Sequence, residues 1–185
     1  MPAFYLTLIA VLLSGWRARD QADIAGLTRA QGQRPAVLVV AILVSIATAA
    51  LAAYAATLFR PLLPPPARIW FVAIALGLAG AESLAIAPRK VPSEPTRSLG
   101  ALALLLLAHQ VTDAPRFITF GLAAGMAAPL ASGLGGAIGG AVLAGAAWAF
   151  PQFAMSPGAR HARRAVGALL LVAAIIVAFR ESGIL

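Results

Sequence analysis

Gln110, Thr112 and Asp113 stand together in a run that is otherwise hydrocarbon, LALLLLAHQVTDAPRFITFGL at 102–122. On a helix, residues three apart share a face, so Gln110 and Asp113 point the same way and Thr112 adds a hydroxyl beside them. An amide, a hydroxyl and a carboxylate form an oxygen set suited to a hard cation such as manganese or calcium. Asp113 and Gln110 are therefore the candidate metal ligands, with Thr112 in support. The same residues have a plainer use. Asp113 followed by Pro115 is a helix N-cap pattern, the proline falling in the first turn where its missing donor costs little, and Arg116 is close enough to pair with the carboxylate. Against capping alone stands the location, because an ionisable group between two half-spans is costly unless it is paired or lines a watery cavity.

Glu82, in AGAESL at 79–84, is the other acid inside an apolar run. It lies about four residues, some 6–8 Å, from the end of its run and so reaches the interface; facing a cavity, it would serve as proton carrier or second ligand. Asp20 and Asp23 lie among Arg17, Arg19 and Arg29, a pattern for a surface amphipathic helix with solvated ion pairs. A lone histidine beside a glutamine, His109, reads as a hydrogen-bonded structural group, and His161 as surface. The glycines at 133–140 lack a Lys-Ser/Thr pair and a strand–turn–helix setting, so they form a packing surface rather than a phosphate cradle. No hydrolase or nucleotide-binding pattern is present, and the expectation is a protein that is not an enzyme.

The elements that must position these groups are membrane helices. Of 185 residues 61% are hydrophobic and 11% charged, with mean hydropathy +0.91, far outside soluble globular composition. There is no cysteine, which removes disulfides, thiolate metal sites and cysteine nucleophiles together. The net charge of +8 would suit nucleic acid, but the basic residues sit between apolar runs and read as membrane flanks, so no nucleic-acid partner is expected. Residues 1–16 lack a basic n-region and a cleavage site and read as a first span.

Further spans follow at 35–59, 69–87, 127–150 and 165–179, and the half-length runs 99–108 and 117–126 make one broken crossing around the polar stretch. Three consecutive prolines within 60–68 give a stiff turn of polyproline character. The proline-rich segment 88–98 divides the chain into a first repeat, 1–87, and a second, 99–185. The fold expected is all-α and polytopic, with six transmembrane helices in two inverted three-helix repeats, the first helix of each short or broken. An offset of 95 residues places Gly26-Leu27 on Gly121-Leu122 and the polar 15–21 on 110–116. Gly135/Gly139 and Gly136/Gly140 have the four-residue spacing of close helix contact and offer a surface for a homo-oligomer through the fifth helix. Ten basic residues fall in the loops after spans one, three and five against four on the other side, which puts those loops in the cytoplasm of a bacterial inner membrane and both termini in the periplasm.

The chain resembles the Gdt/MneA-type manganese and calcium transporters of the LysE superfamily, whose two inverted halves each carry Glu-x-Gly-Asp-Lys/Arg-Thr/Ser. The second copy is QVTDAPRFITFGLAA at 110–124: Asp113 takes the aspartate position, Gln110 the glutamate, Thr112 the glycine, and Ala114 and Pro115 the basic and hydroxyl positions. The first copy, GWRARDQ at 15–21, keeps Arg19 and Gln21 and has Gly15 and Ala18 at the acid positions. The resemblance implies exchange of a divalent cation for protons, with no cofactor beyond the transported ion and the lipid bilayer as partner. Asp113, Gln110, Thr112 and Glu82 are then the candidate cation and proton groups. Two alternatives stand beside it: a divergent, non-transporting paralogue serving as a structural or partner subunit, and an exporter of a small organic solute.

Overall fold

The computed structural model describes residues 2–85 and 97–184. Among these all regular structure is helical: α1 (Pro2–Ser14), α2 (Arg19–Gln31), α3 (Pro35–Phe59), α4 (Pro65–Ala85), α5 (Leu99–Val111), α6 (Ala114–Gly125), α7 (Pro129–Ala149), α8 (Pro151–Ala154) and α9 (Pro157–Glu181). Most of the linker expected at 88–98 lies outside the described residues; Ser98 is described and caps α5, its hydroxyl accepting from Ala101 N at 3.3 Å.

Four helices, α3, α4, α7 and α9, are long and apolar enough to cross a membrane. The apolar α1 and α5 have 13 residues each, about 20 Å at 1.5 Å per residue and short of a bilayer's ~30 Å of hydrocarbon. Burial runs the opposite way from a soluble protein. The buried apolar residues are mostly alanines, such as Ala41, Ala49, Ala79 and Ala147, whereas leucine, isoleucine and valine side chains such as Leu43, Ile74, Leu104, Leu134 and Ile175 face outward. Lipid solvates those outer chains as well as a core would, so the helices associate through small residues that let backbones approach. The chain is a multi-helix membrane protein.

Proline marks helix starts throughout. Pro35, Pro129 and Pro157 open α3, α7 and α9, where the missing N–H is an orphan in any case. The same chemistry corrects the polyproline turn expected over 60–68: a short 3₁₀ turn spans Arg60–Leu62, and Pro65 and Pro66 lie in the first turn of α4. A fixed φ near −65° suits either conformation, and the apolar run behind favours helix. The last helix also begins earlier than the expected 165. Ser156 accepts from Ala159 N at 3.1 Å and Pro157 takes the first position, so α9 carries its arginines inside the helix.

α7 is the central post. Along one stripe a Cβ on Gly135 would stand 2.5 Å from Phe4 O and 3.0 Å from Leu8 N of α1, and one on Gly139 would stand 2.8 Å from Val11. The adjacent stripe, Gly136 and Gly140, faces Thr119 of α6 and Ser45 of α3. The spacing expected to bring helices together therefore does so within one chain. α1 runs alongside the first part of α7 and α2 continues along the rest, with Ile24 and Ala25 clustered with Ala144 and Ala147. α5 and α6 follow α3 in the same manner: Leu102 and Leu106 cluster with Val37 and Val44, and Ala123 and Ala124 with Ala56. α4 and α9 cross closely, a Cβ on Gly80 falling 2.8 Å from Gly167 O.

Gly135→Ala presses a methyl onto α1 backbone that cannot rotate away, and is expected to destabilise the detergent-solubilised protein by about 1–3 kcal/mol. Gly145→Ala, with nothing within 4 Å of its added Cβ, is expected to be neutral or to stabilise by up to about 1 kcal/mol through helix propensity. Thermal unfolding of both variants checks the contrast.

Candidate functional site

Two helix breaks meet inside the bundle. The first lies between α1 and α2, where Arg17 adopts φ 54°, a left-handed conformation that costs a residue bearing a side chain. Arg17 is clamped on both sides: its N–H donates to Gln21 Oε1 at 2.7 Å and its carbonyl accepts from Arg163 Nη1 at 2.8 Å. The second break is Thr112-Asp113, between α5 and α6. Asp113 caps α6 as its sequence pattern indicates, its carboxylate accepting from Ala114 N at 3.3 Å and its carbonyl from Arg116 N and Phe117 N. Arg19 ties the breaks together, with Nη2 2.9 Å from Thr112 O and 2.8 Å from Thr112 Oγ1.

A hydrogen-bond chain runs through the junction. Arg116 Nε donates to Thr48 Oγ1 at 2.8 Å, Thr48 donates to Gln110 Oε1 at 2.9 Å, and Gln110 Nε2 donates to Asp20 Oδ2 at 2.8 Å. The single Thr48 proton is shared between Gln110 Oε1 and Val44 O, each 2.9 Å away, so the chain links the guanidinium to the carboxylate without a fixed direction. Arg116 also donates to Ser45 Oγ at 2.8 Å, Ser45 O at 3.1 Å and Gly136 O at 3.4 Å, fixing α6 to α3 and α7. A cavity of ≈ 10 Å³ remains between the breaks, lined by Gly15, Asp20, Gln110, Asp113, Arg116 and Gly140 among others, at the limit for one water molecule. A much larger groove of ≈ 420 Å³ between α3, α4 and α6 is walled by Leu51, Ile74, Leu78 and Phe117 and offers little but apolar surface.

Beside the junction is a second cluster. Arg163 Nη2 stands 2.6 Å from each oxygen of Glu82 and 3.7 Å from Asp113 Oδ1, while Arg19 Nε is 3.7 Å from Glu82 Oε1. Glu82, Asp113 and Arg163 are 6%, 2% and 3% exposed, so these charges interact with little screening. His109 Nδ1 and Asp23 Oδ2, 2.7 Å apart, close the group at its edge. Four carboxylates, from Asp20, Asp23, Glu82 and Asp113, thus stand among three guanidiniums, from Arg19, Arg116 and Arg163, and the His109 imidazole, while the Arg17 guanidinium reaches Ser156 O at 3.5 Å.

Gln110, Thr112, Asp113 and Glu82 are all brought to this one place, with changed partners. Glu82 is buried in an ion pair instead of reaching the interface. Asp113 pairs with Arg163, whereas Arg116, the partner its position suggests, turns to neutral oxygens. Asp20 and Asp23 are not solvated surface acids, because α2 is buried along Gln21, Ala22, Ile24, Ala25, Gly26, Leu27 and Thr28. Among the described residues no three His, Cys, Asp or Glu side chains are grouped to hold a metal ion, and the oxygens of Gln110 and Asp113 already accept from Thr48 and from Ala114 N. Arg163 is the residue sequence reasoning missed. Its signal is the four-residue register of Ala159, Arg163 and Gly167, the buried stripe of α9, in which an arginine between small residues must have a buried partner.

Glu82→Gln and Arg163→Gln each leave a buried charge without its counter-ion and are expected to cost about 3–5 kcal/mol. The double variant is expected to cost clearly less than the sum, and a double-mutant cycle by thermal unfolding in detergent measures the coupling.

Against known protein families, curated proteins and solved structures the chain gives no match, so its function has to be read from the site itself.

Proposed function

We propose that the chain is a transporter-fold protein of a bacterial cell membrane built from two inverted halves, residues 1–87 and 99–185, joined by 88–98. In this reading α1–α2, α3 and α4 of the first half repeat as α5–α6, α7 and α9 of the second. Support comes from contacts that obey the 95-residue offset. Gln21 and Arg116 correspond, and they bond Leu143 O and Thr48 Oγ1, which correspond as well. Ser45 and Gly140, a further pair at that offset, face each other where α3 and α7 cross. Each pair of short helices is then one broken crossing, giving six in all, and the breaks supply the unwound backbone typical of a transport site. Arg29, Arg34, Arg160 and Arg164 then flank the side taken as cytoplasmic, and with six crossings both termini would lie in the periplasm.

The solute that fits best is a small organic molecule bearing a carboxylate and little net charge. Arg116 carries this reading: it is 4% exposed, its four side-chain bonds all go to neutral oxygens, and one of its five N–H groups is left for a ligand. A solute amine would meet Asp20 or Asp113 across the cavity. The cavity is closed around about one water, so passage needs the two short-helix pairs to part. Exchange of manganese or calcium for protons is the second reading, favoured by the convergence of Glu82 and Asp113 on a single nitrogen. It carries a larger electrostatic cost, since two positive charges would enter a site where Glu82, Asp113 and Asp23 already stand against Arg163, Arg19 and His109. A homo-oligomer would form through the outward face of α7, Leu134, Ile138 and Val142, because its glycine stripes are occupied.

Proteoliposomes test the choice, using counterflow of labelled amino acids and short carboxylic acids beside manganese and calcium flux under a pH gradient. The expected result is organic-solute flux that falls at least about tenfold in Arg116→Gln, a loss of roughly 1.4 kcal/mol or more, with no cation flux. Cation flux abolished by Asp113→Asn would install the second reading instead. Folded protein that moves neither would leave the role of a structural or partner subunit.

A further inference from the structure

Arg163 occupies its place as a metal ion would. Its Nη2 is chelated by both oxygens of Glu82 at 2.6 Å and faces Asp113 Oδ1 at 3.7 Å, while Nη1 takes the Arg17 carbonyl at 2.8 Å. Three carboxylate oxygens and one backbone carbonyl therefore surround the guanidinium, and bidentate carboxylate, monodentate carboxylate and carbonyl are the ligand types that hard divalent cations select. Two carboxylates thus face this one guanidinium, with Arg19 as the next cation, 3.7 Å from Glu82 Oε1. Arg163 Nε has no partner at all, so the guanidinium is retained by charge and not by a complete set of bonds.

We infer that Arg163 is a tethered cation that fills a latent divalent-cation site formed by Glu82, Asp113 and the Arg17 carbonyl, and that it sets the specificity of the protein against metal ions. The frame of this site does not depend on the guanidinium. α4 and α9 are held by backbone contact one turn away, where a Cβ on Gly167 would stand 2.9 Å from Ser83 Cβ and 3.1 Å from Gly80 O. Arg17 is held from the other side by Gln21. Removing the side chain thus leaves the oxygens in place around a space of guanidinium size, with carboxylates in excess over Arg19, the cation that remains beside them. The inference rests on the site proposed above, but its test reads binding and not transport, so the two fail separately.

Manganese binding to the purified full chain in detergent, followed by electron paramagnetic resonance, decides it. Arg163→Gln is expected to bind one manganese ion at least about thirtyfold more tightly than wild type, Arg163→Lys to bind no better than wild type, and Arg163→Gln/Asp113→Asn to lose the gain. Because Arg163→Gln is destabilised, it is prepared with and without millimolar manganese. Folding that is rescued by the metal supports the inference, since an ion bound only by the folded state stabilises it. Failure to fold even with manganese overturns it, because the ion then cannot replace the guanidinium. Wild type that binds manganese as tightly as Arg163→Gln, or folded Arg163→Gln with no gain, overturns it equally.

Discussion

Everything in this bundle depends on satisfying the backbone at two helix breaks inside an apolar protein. Where α1 gives way to α2 and α5 to α6, amide and carbonyl groups leave the helical pattern, and each one left unpaired away from water would cost several kcal/mol. The breaks solve this largely by serving each other and their neighbours. Arg19 donates across to the Thr112 carbonyl, Arg163 to the Arg17 carbonyl, and Gln21 both accepts from the Arg17 amide and donates to Leu143 O. The arginines that do this work bring charge, and charge at that depth has to be met by Asp20, Asp113 and Glu82. The ionic cluster is thus the consequence of breaking the helices, before any solute is considered.

Close packing makes the meeting of the breaks possible. Gly135 and Gly139 admit α1, and Gly136 and Gly140 admit α6 and α3, so the two broken segments are drawn to the same post from adjacent sides. A side chain in either stripe would press on the neighbouring helix and strain this meeting. The glycines of α7 thus bear on the junction as well as on packing, because its donors and acceptors bond only while they stay within about 3 Å of each other.

Much of this was legible in the sequence, and what was hidden shares a cause. The apolar run 35–59 coincides with α3 (Pro35–Phe59), the glycine spacing of α7 marks real helix contacts, and Asp113 caps α6 as its neighbourhood with Pro115 indicates. These are local properties, readable from residues a few positions apart. α2 was misread because its Asp, Arg and Gln look like a solvated face, whereas Asp20 meets Gln110 and Arg19 meets Thr112, each about ninety residues away. Arg163 lies in RHARR, which resembles an interfacial basic cluster until Glu82, eighty-one residues earlier, is placed beside it. Polar residues buried in a membrane protein carry no mark of burial except a partner, and the partner is supplied by topology.

The existing ion pairs constrain what such a site can accept. Glu82, Asp113 and Asp23 already stand against Arg163, Arg19 and His109, and an added ion must displace something already paired. A solute with both a carboxylate and an amine escapes that penalty, since each end can take over a bond to a partner of opposite sign while the total stays near zero. In the proposed reading Arg116 is the point of attachment because its present partners, Thr48, Ser45 and Gly136, are all uncharged. A carboxylate arriving there gains a charge-assisted bond without breaking an ion pair. Arg163 is the opposite case, already bound to Glu82 through two short contacts. In the proposed reading one arginine in the cluster is thus free to recognise a ligand, and the other is committed to its carboxylate.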